Sequence, residues 1–418
     1  MVTEGNTSVM TNEQQIAQAL QDAPPVALSS LAGLKAAGTA PRPDETWRLP
    51  GGTAWVYYGE RNNGIVRPVI MSDGFNTGPS ELDPFYEGLE RGMFPLVSEL
   101  RRRGRDVIML GYDDRSASIL ENAQTATAAV QRAVAERLGG TRMMVGGFSM
   151  GGLVTRYALA RMEMQRIDHQ TGVYWSWDTP HRGAYVPVSL QAFAHYVKKL
   201  DPRFSDQMNS PAARQMLVSH LENWDAAPGI APERIAFLAE LDRVGGWPRI
   251  PRLIGVADGA GNGSGNGAGP GMTAVRGTGS LISDTDLRTQ PEAPDVLAAR
   301  LRFLTPDIAK VQAPGVPQAD GAPGGTLDGF KILADTLNAI AGIGLDIRVD
   351  NPVAGHCFVP SVSAVSVRDV TDNNLYADID SLNPDQSDLD DFLLADGNGS
   401  HTQISEPLAN WLLDRLPD

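Results

Sequence analysis

Apolar residues follow two different spacings from residue 46 onwards. Short apolar runs rich in β-branched and aromatic residues are typical of strands, whereas apolar residues three or four positions apart over a longer stretch are typical of helices. The two kinds of segment alternate, which predicts βαβ units and a mostly parallel sheet flanked by helices. The predicted strands are 53–58, 66–72, 106–112, the approach 143–145, 173–178 and 251–257, and the predicted helices include 83–103 and 116–138.

Two helical regions lie outside these units. A short amphipathic helix begins at Thr11 or Asn12 and has Ile16 and Leu20 on one face. Residues 187–247 are helical in pattern, which predicts a cap inserted above the sheet. Its aromatic residues are Phe193, Tyr196, Phe204, Trp224 and Phe237. They line a binding site if the cap covers one, and the alternative is a packed helical subdomain that has no contact with a substrate.

The rest of the chain is less regular. The glycine-rich stretch 259–271 predicts a flexible loop that does not pack by itself, and the acidic segment 378–391 predicts a solvated loop. Further predictions are short strands in 273–326, a helix over 327–343, a strand-like run over 357–367 and a last helix over 406–416. We therefore divide the chain into an extension (1–45), a first core part (46–186), the cap (187–247) and a second core part (248–418).

Residues 145–157, V-G-G-F-S-M-G-G-L-V-T-R-Y, contain a G-x-S-x-G motif between a predicted strand and a helical pattern. This is the context of a nucleophile elbow, in which a serine sits on a sharp, strained turn. Glycines two residues before and after that serine avoid collisions with neighbouring elements. Ser149 is therefore the candidate nucleophile, and the alternative is a glycine-rich turn that only packs.

A serine hydroxyl needs a base within hydrogen-bonding reach, and the base needs a carboxylate to orient it. His401 lies just before the last predicted helix, after the serine in the chain, which is where the base is found in α/β-hydrolases. His181 follows too closely on the strand 173–178, and we interpret it as bracing the loop there. The remaining histidines, which fit this role less well, are His169, His195, His220 and His356.

Three segments resemble bacterial lipases and esterase-like α/β-hydrolases. They are G-G-F-S-M-G-G-L-V-T-R-Y-A-L, W-D-T-P-H-R-G-A and P-V-I-M-S-D-G-F-N. The resemblance covers roughly residues 66–190 and returns at the His401 loop and the last helix. Asp73 stands where many family members have a histidine. The resemblance implies an α/β-hydrolase fold, with an oxyanion hole formed by the backbone N–H groups of Phe75 and Met150.

Two aspartates compete for the role of the triad acid. Asp178 ends an apolar strand, where an unpaired carboxylate would be costly, and its place is similar to that of the acid in pancreatic-type lipases. Asp258 ends the predicted seventh strand, the commoner place for the acid, but the glycine-rich loop after it would allow it to be solvated in a turn. We favour Asp178 and keep Asp258 as the alternative, with Asp73 or the acidic segment as weaker candidates.

Charge and composition narrow the class of partner. A net charge of −15 argues against nucleic-acid binding and against attraction to anionic lipid. No apolar run is long enough to span a membrane, and the N-terminus has no signal-peptide pattern, so we expect a cytoplasmic protein, or a secreted one if a signal has been removed. The single cysteine, Cys357, excludes an internal disulfide, and no motif of a metal or cofactor site is present.

These features predict a serine hydrolase that cleaves carboxylic esters of an apolar acyl substrate through an acyl-enzyme on Ser149, without cofactor or metal. One alternative is a thioesterase or an acyltransferase with the same triad, and only product formation with water alone would separate these. The other alternative is a non-catalytic binding protein that has kept the fold.

Overall fold

Eight strands form a central sheet in the computed structural model, which describes residues 11–22, 38–341, 345–371 and 374–417. The strand order is β1-β2-β4-β3-β5-β6-β7-β15, in which β1, β2 and β4 pair antiparallel and every other pair is parallel. The strands are β1 (Glu45–Leu49), β2 (Gly52–Tyr57), β3 (Pro68–Ser72), β4 (Asp106–Tyr112), β5 (Met143–Phe148), β6 (Thr171–Trp177), β7 (Arg252–Ala260) and β15 (Asp391–Ala395). The predicted α/β architecture is confirmed.

Helices cover both faces of this sheet, so its central strands β3, β4 and β5 are buried along their whole length. Successive residues of β3 show the two faces: Ile70 packs in one apolar cluster, and Val69 and Met71 pack in the other. The first face carries α4 (Ile119–Glu136) and α5 (Met150–Met164), and the second carries α2 (Leu82–Glu90), α3 (Leu96–Arg102) and α12 (Glu406–Leu413). The prediction of one long helix over 83–103 was wrong, because α2 and α3 are separated by a turn that ends at Pro95.

A second, five-stranded antiparallel sheet lies between β7 and β15 in sequence, in the order β11-β10-β9-β8-β13. Its strands are β8 (Thr273–Gly277), β9 (Asp286–Arg288), β10 (Leu297–Leu301), β11 (Ala309–Gln312) and β13 (Val349–Asp350). The sequence predicted short strands here but assigned all of 248–418 to the core. This sheet does not pair with the central one, although its apolar residues pack in the same cluster as those of α4 and α5.

The remaining elements connect these parts. β12 (Gly324–Leu327) and β14 (His356–Pro360) form a separate antiparallel pair, and the predicted strand over 357–367 ends at Pro360. The predicted cap contains α6 (Val188–Tyr196), α7 (Arg203–Met208), α8 (Pro211–Met216) and α9 (Pro232–Arg243), and the other helices are α1 (Asn12–Asp22), α10 (Gly329–Ile340) and α11 (Ser361–Ala364). None of the described helices is both long and apolar enough to cross a membrane.

Two loop predictions were wrong in part. The acidic segment 378–391 ends inside β15, the edge strand of the central sheet, so its last residue is not in a solvated loop. The glycine-rich stretch 259–271 begins inside β7 and then packs on other segments. Asn266, for example, receives a hydrogen bond to its carboxamide oxygen from Ala268 and donates to the carbonyl groups of Gly321 and Asp320.

Candidate active site

Ser149 stands between β5 and α5 with φ of 51° and ψ of −126°, a strained conformation for a residue with a side chain. The flanking glycines leave no space for a side chain. A Cβ atom on Gly147 would lie 2.8 Å from the carbonyl oxygen of Ser72, and one on Gly151 would lie 2.5 Å from the same oxygen and from that of Asp73. The steric reason for the G-x-S-x-G spacing is therefore present at this turn.

Ser149 belongs to a chain of hydrogen bonds with His401 and Asp178. The distance from Ser149 Oγ to His401 Nε2 is 2.8 Å, and that from His401 Nδ1 to Asp178 Oδ2 is 2.6 Å. The three side chains are 7%, 2% and 0% exposed, so these contacts are shielded from water. The structure thus brings together the predicted serine and histidine with the favoured aspartate.

Asp258, the alternative acid, lies close to this chain but does not pair with the imidazole. It is 2% exposed, so the suggestion that it is solvated in a turn was wrong. Its backbone N–H donates to Asp178 Oδ1 at 3.1 Å, and Trp177 Nε1 donates to its Oδ1 at 3.3 Å. Burial, and then the charge of Asp178, raise the pKa of Asp258 well above its ordinary value, while Trp177 and the backbone of Thr402 and Gln403 lower it.

The segment that carries His401, residues 396–405 (the His loop), is held by β12. The backbone N–H of His401 donates to the carbonyl of Thr326 at 2.8 Å, and the N–H of Thr326 donates to Gly399 at 2.9 Å. Gly325 leaves room for the acid, because a Cβ atom there would lie 1.7 Å from Asp178 Oδ2. The ring of Phe358 on β14 meets the imidazole edge to face at 4.9 Å. Sequence reasoning missed this support, since G-G-T-L has neither helical nor strand-like spacing.

Residues 73–80 (the Asp73 loop) lie against the nucleophile. A Cβ atom on Gly74 would be 3.3 Å from Ser149 Cβ, so only glycine lets the backbone come this close without displacement. Asp73 fixes the loop, because its Oδ1 accepts from the N–H of Gly74 at 2.8 Å and its Oδ2 accepts from Ser80 Oγ at 2.7 Å. Arg115 Nη1 lies 3.6 Å from Asp73 Oδ2. Burial raises the pKa of Asp73, and the charge of Arg115 offsets part of that increase.

The backbone N–H groups of Phe75 and Met150 come directly after the two residues of this contact, Gly74 and Ser149. Phe75 follows Gly74, and its N–H makes no hydrogen bond to any of the described residues. Met150 is the first residue of α5, where a backbone N–H has no partner within the helix. Neither group therefore has a partner among the described residues.

The strand order and the elbow decide the fold. An antiparallel β2 precedes a parallel sheet, the order reverses at β3 and β4, and a strained serine joins β5 to the next helix. The chain has the α/β-hydrolase fold. The resemblance noted in the sequence is confirmed at this level. Asp178 directly follows β6, and Asp258 lies near the end of β7, two positions before Ala260.

Comparison with solved structures of this fold gives distant similarities. A lipase from Bacillus licheniformis in mature form is 12% identical over 51% of this chain and 73% of its own, with a TM-score of 0.32. An esterase from Pyrobaculum calidifontis is 13% identical over 59% and 72%, with a TM-score of 0.35. A puromycin-hydrolysing peptidase from Mycobacterium tuberculosis is 18% identical over 51% and 31%, with a TM-score of 0.29. No family model and no curated protein sequence matches the chain.

A cavity of about 350 Å³ opens beside His401. Its walls come from the end of α2 with the turn after it and from the His loop, and its lining residues are Glu87, Gly88, Arg91, Gly92, Met93, Ser400, His401, Thr402, Gln403 and Ile404. The lining mixes charged, polar and apolar side chains, and none of it belongs to residues 187–247.

The aromatic side chains of the predicted cap instead make packing contacts. Phe193 is 2% exposed and meets Phe303, next to β10, with ring centres 6.3 Å apart. Tyr196 meets Trp224 edge to face at 5.7 Å. These contacts favour the alternative interpretation of residues 187–247, a helical subdomain whose aromatic residues form a packed core.

His181 is buried away from the Ser149 chain of hydrogen bonds. Its Nε2 lies 3.0 Å from Ser176 Oγ, and its ring is 4.8 Å from that of Trp247. Burial, together with the charges of Arg156 and Arg182, holds its pKa well below the ordinary value. A neutral imidazole in these contacts agrees with the expectation that His181 braces the loop after β6.

Proposed function

We propose that this protein is a serine hydrolase that cleaves carboxylic esters through an acyl-enzyme on Ser149. The observation that carries the proposal is the buried chain of hydrogen bonds from Ser149 through His401 to Asp178 on a strained elbow. A hydroxyl with a base 2.8 Å away, itself paired with a carboxylate, is an activated nucleophile. The unpaired N–H groups of Phe75 and Met150 supply the second requirement, donors for a developing oxyanion.

In the proposed reaction, Ser149 Oγ attacks the ester carbonyl carbon while its proton passes to His401 Nε2. The carbonyl oxygen becomes an oxyanion that accepts hydrogen bonds from Phe75 and Met150. His401 then gives the proton to the alcohol oxygen as the carbon–oxygen bond breaks. A water molecule then attacks the acyl carbon while one of its protons passes to His401 Nε2, and the bond from that carbon to Ser149 Oγ breaks as His401 returns the proton to Oγ. The carboxylic acid is released, and Asp178 stabilises the imidazolium that forms in each half of the cycle.

The size and lining of the cavity beside His401 indicate which substrates would fit. Its volume of about 350 Å³ is near the lower end of the range for small-molecule sites. Met93 and Ile404 give it apolar surface, while Glu87, Arg91 and Gln403 give it polar surface. We therefore expect short or medium acyl esters to react faster than long ones. The sequence also suggested a preference for apolar acyl groups, and the packed aromatic residues of the cap give no support to that preference.

The test is covalent labelling combined with turnover. A fluorophosphonate should label the wild-type protein, and Ser149→Ala should abolish both labelling and hydrolysis of p-nitrophenyl esters without changing the melting temperature. Ser98→Ala, which removes an exposed hydroxyl on α3, serves as the matched control and should behave as wild type. Labelling that persists in Ser149→Ala would show that the nucleophile is another residue. A labelled protein that turns over only thioesters would be a thioesterase, and one that needs an acyl acceptor would be an acyltransferase.

A further inference from the structure

Two carboxyl groups, not one, are buried where β6 and β7 meet the His loop. Both belong to residues with almost no exposure, and the N–H of Asp258 donates to Asp178 Oδ1 at 3.1 Å. Two like charges this close inside a protein are unfavourable, so one of the groups is expected to keep its proton. The hydrogen bonds around each oxygen atom indicate which one.

Both oxygens of Asp178 accept hydrogen bonds from N–H groups. Oδ2 accepts from His401 Nδ1 at 2.6 Å, and Oδ1 accepts from the backbone of Asp258. Asp258 differs, because its Oδ1 accepts from Trp177 Nε1 at 3.3 Å, whereas its Oδ2 has no donor in hydrogen-bonding geometry among the described residues. The nearby backbone N–H groups of Thr402 and Gln403 fall outside that geometry. A buried anionic oxygen without a donor is far more costly than a neutral hydroxyl, so the proton belongs on Asp258.

Asp258 also touches the His loop on both sides of the histidine. Its backbone carbonyl accepts from the N–H of Gly399 at 2.7 Å, two residues before His401. Its carboxyl group lies near the backbone N–H groups of Thr402 and Gln403, just after His401, and these groups lower its pKa by less than burial raises it. The side chain therefore lies under the turn that presents the imidazole to Ser149.

We propose that Asp258 remains protonated and positions the His loop, so that Asp178 is the single carboxylate facing the imidazole. Asp258 is a positioning residue in this scheme, because it acts through His401 and touches no substrate. The activity readouts below rest on the proposed ester hydrolysis, and the spectroscopic one does not.

Two substitutions separate charge from positioning. Asp258→Asn keeps a neutral group of the same shape, and Asp258→Ala removes the group. We expect kcat/KM of Asp258→Asn to stay within about 3-fold of wild type, with the acid limb of its pH profile moved by less than about 0.3 unit, because no charge has been lost. Asp258→Ala should lower kcat by about 10-fold or more with little change in KM, because the imidazole is less well placed. Asp178→Asn, which does remove a charge, is the comparison.

Two outcomes would overturn the proposal. An acid limb that moves in Asp258→Asn as far as in Asp178→Asn would mean that Asp258 is ionised in the wild type. An Asp258→Ala variant with wild-type kcat would mean that the side chain does not position the loop.

Infrared spectroscopy gives a measurement that needs neither activity nor the alanine variant. A protonated carboxyl has a C=O stretch separate from the bands of a carboxylate, so the difference spectrum of wild type minus Asp258→Asn at neutral pH should contain it. Only carboxylate bands in that difference would refute the assignment of the proton. A wild-type protein that shows this stretch but hydrolyses no ester would contradict the proposed function and leave the protonation of Asp258 standing.

Discussion

Gly325→Ala is a small change on β12 that reaches the proposed triad directly. The added Cβ atom would lie 1.7 Å from Asp178 Oδ2, whereas such contacts are essentially never shorter than 3.0 Å. The carboxylate or the strand must therefore move by at least 1.3 Å. That displacement is half of the 2.6 Å that separates Asp178 Oδ2 from His401 Nδ1, so the hydrogen bond orienting the imidazole would be strained or lost.

The expected size of the effect follows from what that hydrogen bond does. Removing the orienting carboxylate of a serine triad lowers kcat by about 10⁴-fold, which sets the upper limit. Because Asp178 would be displaced and not deleted, we expect a loss of about 10²- to 10⁴-fold, or about 2.7 to 5.4 kcal/mol of transition-state stabilisation. KM for a p-nitrophenyl ester should change little, since Gly325 does not line the cavity beside His401.

The assay compares kcat at one pH for wild type and four variants, each checked for folding by thermal melting. Gly397→Ala is the matched control, because a Cβ atom there meets nothing within 4 Å although the residue lies at the start of the His loop. The double variant Gly325→Ala/Asp178→Asn should be no slower than Asp178→Asn alone, since both changes remove the same interaction. A folded Gly325→Ala with near-normal kcat would refute the reasoning and reopen the choice of acid.

Two further predictions concern stability. Phe193→Ala should lower the free energy of unfolding by about 3 to 5 kcal/mol, because it empties a buried contact with Phe303, and should leave the chain-length preference for esters unchanged; a changed preference in a stable variant would return the cap to the substrate site. Burial raises the pKa of Asp320 to about 7, so the native state keeps a proton that the unfolded chain releases near pH 4, and stability falls as pH rises from about 4 to about 7. In denaturant titrations, the free energy of unfolding of Asp320→Asn relative to wild type should increase by on the order of 4 kcal/mol across that pH range. The control Asp242→Asn changes an exposed residue, and its free energy of unfolding should depend on pH as that of wild type does.

The parts of the site that depend on local sequence could be predicted. Ser149 was identifiable because the elbow needs glycines at fixed distances and a strand before a helix, all within a few residues. His401 was identifiable from its place after the serine and before the last helix. The acid was ambiguous for a physical reason: the ends of β6 and β7 meet at the same edge of the sheet, so Asp178 and Asp258 both arrive near the imidazole.

The parts that depend on distant segments could not be predicted. The second sheet is built from strands of two to five residues with charged side chains among the apolar ones, and such strands are too short to show a period of two. β15 begins at Asp391, directly after an acidic stretch, so its apolar residues were too few to stand out. The role of Gly325 follows from the position of Asp178, which lies far away in the sequence.

The attachment of the His loop to β12 has a consequence for how the protein folds. Ser149 and His401 are 252 residues apart, and Asp178 and His401 are 223 apart, so closing these contacts is among the most expensive loop closures in the chain. The loop also needs β12, which lies in sequence between β11 and β13 of the five-stranded sheet and pairs with β14. Contacts of such long range form slowly. A chain whose central strands have already packed would therefore still lack the proposed triad, which would be complete only when the last segments of the chain have reached their places.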